Sequence, residues 1–459
     1  MNLIILIVAG ALFTYALIYK PEIVAVALFV LILAKINFDL KGLPLNSRAI
    51  ISLALFCRIL FDKSGLEKYS PYLYLTHVKM LLAFMLYVIL VSFSQGLFQI
   101  DLLKESTSTV LATFFVYHYY FKFQNANLLK TALTIAGIIC FADLAYTYIA
   151  YGSFPIHRIY LQLTGAADTL TDDDLAQTNW NFFGQICGMG FVYLLSDYIK
   201  HPSENKTNRL TTLGLLPVML LGVMLSTSRS AILGMLLVSI LIILNGVKYR
   251  DQKRKLVRVG TFAVGALFMG ILLFATLGKY VSLDSKFIDE ITSRLTDEPV
   301  AIVRKAMGQS YNINNLGSMD WREESSENAY AAFMNLDFQE QFFGIGNGGF
   351  EVRDLGHGYN AHNATLLLLI ENGILGFFLY FLIIGSVFFQ AIRQKNFSPS
   401  FAVVCFILLY GLGQNREWTS ITTFIFIYSM VAEGEFLRLE RKNYELPTTE
   451  EDPEMTQEK

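Results

Sequence analysis

Three clusters of polar residues in this sequence have the types and spacing to do chemistry. The first is Ser226-Thr227-Ser228-Arg229-Ser230, set between two long apolar runs. Its hydroxyls, its guanidinium and the open amides of a helix start together suit phosphate oxygens. The alternative is an arginine that only snorkels from a helix end to lipid headgroups. The second is Gly344-Ile345-Gly346-Asn347-Gly348-Gly349-Phe350, followed by His357 and then by His362-Asn363. The glycines permit tight turns with positive φ. No strand precedes them and no βαβ unit is available, so the run is not a dinucleotide fingerprint. His362 stands where a polar stretch meets a long apolar one, and imidazole suits general-base work near neutral pH. A surface histidine without a role is the bland alternative. The third cluster is Asn179-Trp180-Asn181, whose asparagines could bind sugar hydroxyls while Trp180 reads as an interfacial aromatic.

The elements that must position these residues follow from composition. Of 459 residues, 54% are hydrophobic and only 16% charged, where a soluble chain carries roughly 25% charged residues. The apolar residues fall in blocks long enough to cross a hydrocarbon core of about 30 Å. Such blocks must be helical, because lipid offers the backbone no hydrogen-bond partners. The expected fold class is therefore all-α, a polytopic transmembrane helical bundle of about 12–13 spans with a large, partly helical extracytoplasmic loop. The spans are 3–19, 22–36, 46–61, 79–98, 106–123, 129–151, 180–199, 210–225, 230–247, 259–281, 363–389, 400–414 and 418–432. The first begins without a basic leader and reads as a retained helix rather than a secretory signal. Cys57, Cys140, Cys187 and Cys405 all lie in apolar runs without a CxxC spacing, and read as packing residues.

Sidedness follows from the basic residues of short loops. Segment 248–258 holds Lys248, Arg250, Lys253, Arg254, Lys255 and Arg258 against one aspartate, Asp251, which puts it inside. Without aromatic interleaving it is a membrane anchor and not a nucleic-acid site. The connections 200–209 and 393–395 then share its side. Segment 152–178, with Asp168, Asp172, Asp173 and Asp174, faces out, as does the polar segment 282–361. The chain divides into transmembrane helices over 1–281, the large outer loop 282–361, transmembrane helices over 362–440, and a polar acidic tail, 441–459, expected to be disordered and cytoplasmic. Counting back from 152–178 leaves Lys35, Lys41 and Arg48 outside, so twelve spans with both termini inside stays open.

In this order and on one side of the membrane, the clusters resemble the O-antigen ligase family, which also takes in many O-antigen polymerases. Thr227-Ser228-Arg229 is similar to the family's T-S-R turn. Tyr330-Ala331-Ala332-Phe333 stands where the family has R-x-x-x-W-x-x-A. The run Gly344–Phe350 is similar to G-x-G-x-G-x-F, and His362-Asn363 leads into Glu371-Asn372-Gly373-Ile374-Leu375-Gly376, similar to E-x-G-x-x-G. Asn179 and Asn181 resemble an N-P-N with Trp180 for proline. Tyr330 replaces the usual tryptophan and Ser326 the usual arginine. Arg322, one helical turn earlier, is then the expected arginine, with Arg304 and Arg294 as fallbacks.

The resemblance implies an inner-membrane glycosyltransferase whose active site is on the periplasmic face. The donor would be an undecaprenyl-diphosphate-linked glycan and the acceptor lipid A–core or a similar glycolipid, in an inverting reaction without a metal or another cofactor. It assigns His362 as the base, Arg229 and Arg322 to the donor diphosphate, and Ser228, Asn179, Asn181 and Asn363 to substrate binding. Membrane lipids are the remaining partners, and nucleic acid is not one. A polymerase joining lipid-linked repeats is the alternative within the family. A transporter of lipid-linked sugars is the alternative from another class, which inverted repeats and mid-membrane polar residues would favour; the sequence shows no internal repeat, and its polar residues concentrate at the outer ends of spans.

Overall fold

The computed structural model describes residues 2–33, 47–60, 76–97, 127–151, 180–200, 206–226, 228–247, 319–355, 363–393 and 398–411, with isolated positions 257, 300, 304 and 307–309. Every element among the described residues is a helix, and no strand occurs among them. The all-α expectation holds. The candidate spans 106–123, 259–281 and 418–432 lie outside the described residues, as do 152–178 and the tail 441–459.

The N-terminal helices are α1 (Asn2–Tyr19), α2 (Pro21–Leu33), α3 (Ser47–Leu60), α4 (Thr76–Ser94) and α5 (Asn127–Tyr151). Next come α6 (Trp180–Lys200), α7 (Lys206–Leu225) and α8 (Arg229–Val247). The polar loop contributes α9 (Met319–Asn335) and two short helices, α10 (Phe338–Phe343) and α11 (Gly349–Val352). The C-terminal pair is α12 (Ala364–Arg393) and α13 (Pro399–Gly411). Among the described residues, Phe182–Ile199 in α6 and Thr365–Ile383 in α12 are long and apolar enough to cross a membrane; Ala83–Ser94, Leu210–Leu225, Ser230–Asn245 and Pro399–Tyr410 are shorter apolar helices.

At the N-terminus, α1 and α2 turn by 116° about Lys20. Pro21 explains the break, because it has no N–H to continue α1 and its fixed φ suits the first position of α2. The pair is either two spans joined by a one-residue turn or a single broken span. This is the region where twelve and thirteen spans were both left open.

Helix α6 is the hub, packing against α5, α7, α8 and α13. Small residues let these helices approach, as membrane helix packing requires. The ring of Phe406 in α13 fills the place a side chain at Gly188 would take, and Met219 in α7 lies beside Gly137 and Gly190. Its pliable thioether suits such irregular space. Lys130 at the start of α5 pairs with Asp197 near the end of α6 at 2.6 Å, so these neighbours run antiparallel as the span order requires. Cys140, Cys187 and Cys405 are buried free thiols that pack as expected, whereas Cys57 is exposed on α3.

A second, smaller core sits under the polar loop. Ala329 and Phe333 of α9, Ile345 and Phe350 of the glycine run, and Leu367 and Ile370 of α12 bury one another. The first turns of α12 are apolar for this reason as well as for membrane insertion.

Candidate functional site

The Ser226–Arg229 hairpin is built by capping. The Ser226 hydroxyl donates to the Val223 carbonyl at 2.7 Å and accepts the Ser228 N–H at 3.2 Å. Ser228 is the N-cap of α8, its Oγ accepting the Ala231 N–H at 3.4 Å, which satisfies one of the open amides of the first turn. Ser228 is 1% exposed, so its hydroxyl is committed to the helix start. Arg229 is the first residue of α8. Both serines lie against Gly184 of α6, one turn beyond Asn181. Ser228 and the backbone of Asn181, distant in sequence, therefore lie at the same end of the α6–α7–α8 group. Asn179 and Thr227 lie outside the described residues.

Arg322 lies in α9, so the helix assumed in assigning it is present. At 3.6 residues per turn, position 322 falls on the face that carries Ala329 and Phe333. That face packs on the start of α12, immediately after His362. His362 and His357 lie outside the described residues. Asn363 caps α12, its Oδ1 accepting the N–H groups of Thr365 and Leu366, each at 3.1 Å. Arg304 is exposed, and Arg294 lies outside the described residues.

The glycine run is held by a break in α12. Gly373 has φ 64° and ψ −178° inside what is otherwise continuous helix, a conformation open essentially to glycine alone. The break interrupts the helical ladder and frees carbonyls, which must find other partners. The Ile345 N–H donates to the Ile370 carbonyl at 3.2 Å and the Gly346 N–H to the Glu371 carbonyl at 2.9 Å. The buried Glu371 carboxylate accepts the Gly348 N–H at 2.7 Å. Gly344, Gly346 and Gly348 all have positive φ, between 84° and 90°, a conformation that glycine permits.

Helix α4 completes this clamp. The Tyr87 hydroxyl is shared between the carbonyls of Phe343 at 2.7 Å and Asn372 at 2.9 Å. Ser92 Oγ accepts the Asn347 N–H at 3.0 Å. Arg353 bonds Glu340 at 2.7 Å and Gln95 at 2.9 Å. Sequence reasoning missed Tyr87, Ser92 and Gln95, since one tyrosine and one serine in an apolar run carry no signal. Glu371 was visible as part of a motif but had no role until its acceptor geometry was seen. The antiparallel contact of α4 with α12 agrees with the span order.

The fold and these helix-end clusters define an all-helical protein with apolar helices suited to a membrane. Residues 214–381 match the family model described as O-antigen ligase, a stretch that holds Arg229, Arg322, the glycine run, His362 and Glu371. The resemblance read from the motifs therefore stands over that stretch, and it points to a glycosyltransferase-like enzyme of the ligase or polymerase kind. No curated protein matches the chain.

Proposed function

We propose that the protein moves a glycan from an undecaprenyl-diphosphate donor to a glycolipid acceptor at the outer face of the inner membrane, in the manner of an O-antigen ligase. The observation that supports this best is the ordered set of motifs inside the matched stretch 214–381, with the glycine run clamped onto the helix that follows His362.

In the proposed reaction, His362 takes the proton of the acceptor hydroxyl as its oxygen attacks the anomeric carbon. The bond from that carbon to the donor diphosphate breaks and the electron pair leaves with the diphosphate. Attack opposite the leaving group inverts the anomeric centre. Arg229 and Arg322 offset the charge that develops on the diphosphate, the role a metal plays in other transferases. Ser228 acts by fixing the start of α8 and hence the backbone of Arg229. Asn363 does the same for α12 beside His362. Asn179 and Asn181 contact sugar hydroxyls.

A deletion strain tests the reading. Long lipid-linked chains left unattached to lipid A–core are the expected result. Single repeats attached to core would make the protein a polymerase, and loss of lipid-linked glycan from the outer face would make it a transporter.

Arg229→Lys bears on the donor site. A guanidinium binds a diphosphate through two parallel hydrogen bonds, whereas an ammonium is a point charge. Arg229→Lys is therefore expected to lose most transfer activity in a purified assay, on the order of tenfold or more, since each 1.4 kcal/mol of lost transition-state stabilisation is tenfold in rate. Turnover near that of the parent protein would leave Arg229 as a membrane anchor.

A further inference from the structure

The short helix α10 carries two rings that the protein leaves uncovered. Phe338 is 81% exposed and Phe343 43%. Between them Phe342 stacks on Phe338 at 6.2 Å and meets Phe343 edge-on at 5.0 Å. Exposed aromatics of this density in a polar loop need an occupant.

Position in the fold says which one. The Phe343 carbonyl accepts from Tyr87, which lies well inside α4, a helix that ends at Ser94. At 1.5 Å per residue this is about 10 Å below the outer end of the helix. The chain then rises, and Asn347 meets Ser92 close to that end. The C-terminal end of α10 thus dips alongside a membrane-type helix. Irregular backbone at such a depth must be satisfied by protein. It is, because Tyr87 serves the carbonyls opened at Phe343 and at the α12 break.

The neighbouring surfaces are apolar and equally uncovered. Leu86, Leu90 and Phe93 are exposed at helical spacing on α4, and Ile374 and Phe378 are exposed on α12 just past its break. Glu340, the one charged residue of α10, is neutralised by Arg353, which also reaches Gln95 just past the end of α4. Phe338 and Phe342 share one side of this short helix, and Phe343 ends it beside α4.

We infer that α10 is an interfacial anchor, with Phe338 and Phe343 buried at the boundary between headgroups and acyl chains of the outer leaflet, so that lipid itself holds the glycine run in place. This rests on the membrane reading of α4 and α12 and not on the transferase reading. Phenylalanine is among the residues that interfacial helices bury between headgroups and acyl chains.

Tryptophan quenching in proteoliposomes tests it. In a full-length background with Trp180, Trp321 and Trp418 replaced by phenylalanine, single tryptophans are introduced as Phe338→Trp, Phe343→Trp and, in the α4 span, Leu90→Trp. The expected result is blue-shifted emission for both α10 variants, quenched more by lipids brominated near the headgroup than by lipids brominated near the chain end. Emission as in water, without quenching, from both α10 variants while Leu90→Trp is quenched would overturn the inference and leave the membrane reading intact. Failure of Leu90→Trp to be quenched would overturn both.

Discussion

His362→Ala is expected to insert, fold and bind the lipid donor, yet to transfer glycan at least about a hundredfold more slowly, since general-base help is typically worth about 10²–10⁴ in rate. The argument begins with the helix that follows. Asn363, the next residue in the chain, caps α12 through two N–H groups, so the start of that helix is fixed. Leu366, Leu367, Leu369 and Ile370 are packed into the core beneath α9 and the glycine run, which holds that end of the helix still. Roughly 15 Å of helix separates Asn363 from the break at Gly373. His362 therefore leads into a part of α12 that is packed by the polar loop, and not directly into its lipid-facing part. A base there would meet an acceptor sugar arriving from water. Removal of the imidazole takes away only the proton acceptor and leaves the cap intact. Donor affinity and transfer rate are to be measured on the same folded sample. Full turnover with intact folding would remove His362 from the mechanism, and a carboxylate of the outer loops would be the next candidate for the base.

How much of this was legible beforehand depended on the kind of signal. Apolar blocks gave the helices, because burial in lipid demands length and hydrophobicity that can be read residue by residue. The glycine run was legible for a similar reason: repeated glycines separated by single residues announce positive φ, and three of them have it. What held the run was not legible. Tyr87 and Ser92 lie more than 250 positions from their partners, and nothing local marks them. Ser228 and Asn363, which the resemblance assigns to substrate binding, have a second role in that their side-chain oxygens cap helices. A serine or asparagine before an apolar run is an N-cap signature as much as a binding one, and that reading was available. The break at Gly373 was hidden because E-x-G-x-x-G sits inside a run that is otherwise uniformly apolar and helical.

Gly373→Ala is expected to be the most damaging single methyl group in the described residues. A side chain at this position faces two costs. The first is backbone strain, about 1–3 kcal/mol for a non-glycine residue held in this φ/ψ region. The second is steric: a Cβ would run into the Gly344 amide nitrogen and the Phe342 carbonyl, which are backbone atoms and cannot swing aside. Gly344 is itself locked, since a Cβ there would strike the Glu371 carbonyl and the Asn372 backbone. The two glycines face each other where the run passes α12, their backbones in direct contact. Two responses are open to the alanine variant. It can straighten α12, which closes the carbonyls of Ile370 and Glu371 to the run, or it can push the run away and strip the Gly348 N–H from Glu371. Either one displaces the segment that leads towards His362, and a misplacement of about 1 Å can cost about a hundredfold in rate. Gly385→Ala supplies the control, because it lies in the same helix with nothing near the added methyl and exchanges glycine for a better helix former. Thermal unfolding and glycan transfer of both variants, in one detergent, decide the matter. Gly373→Ala should lose thermal stability and nearly all transfer, while Gly385→Ala should match or exceed the parent in stability. Equal behaviour of the two variants would mean that the break in α12 plays no part in holding the site.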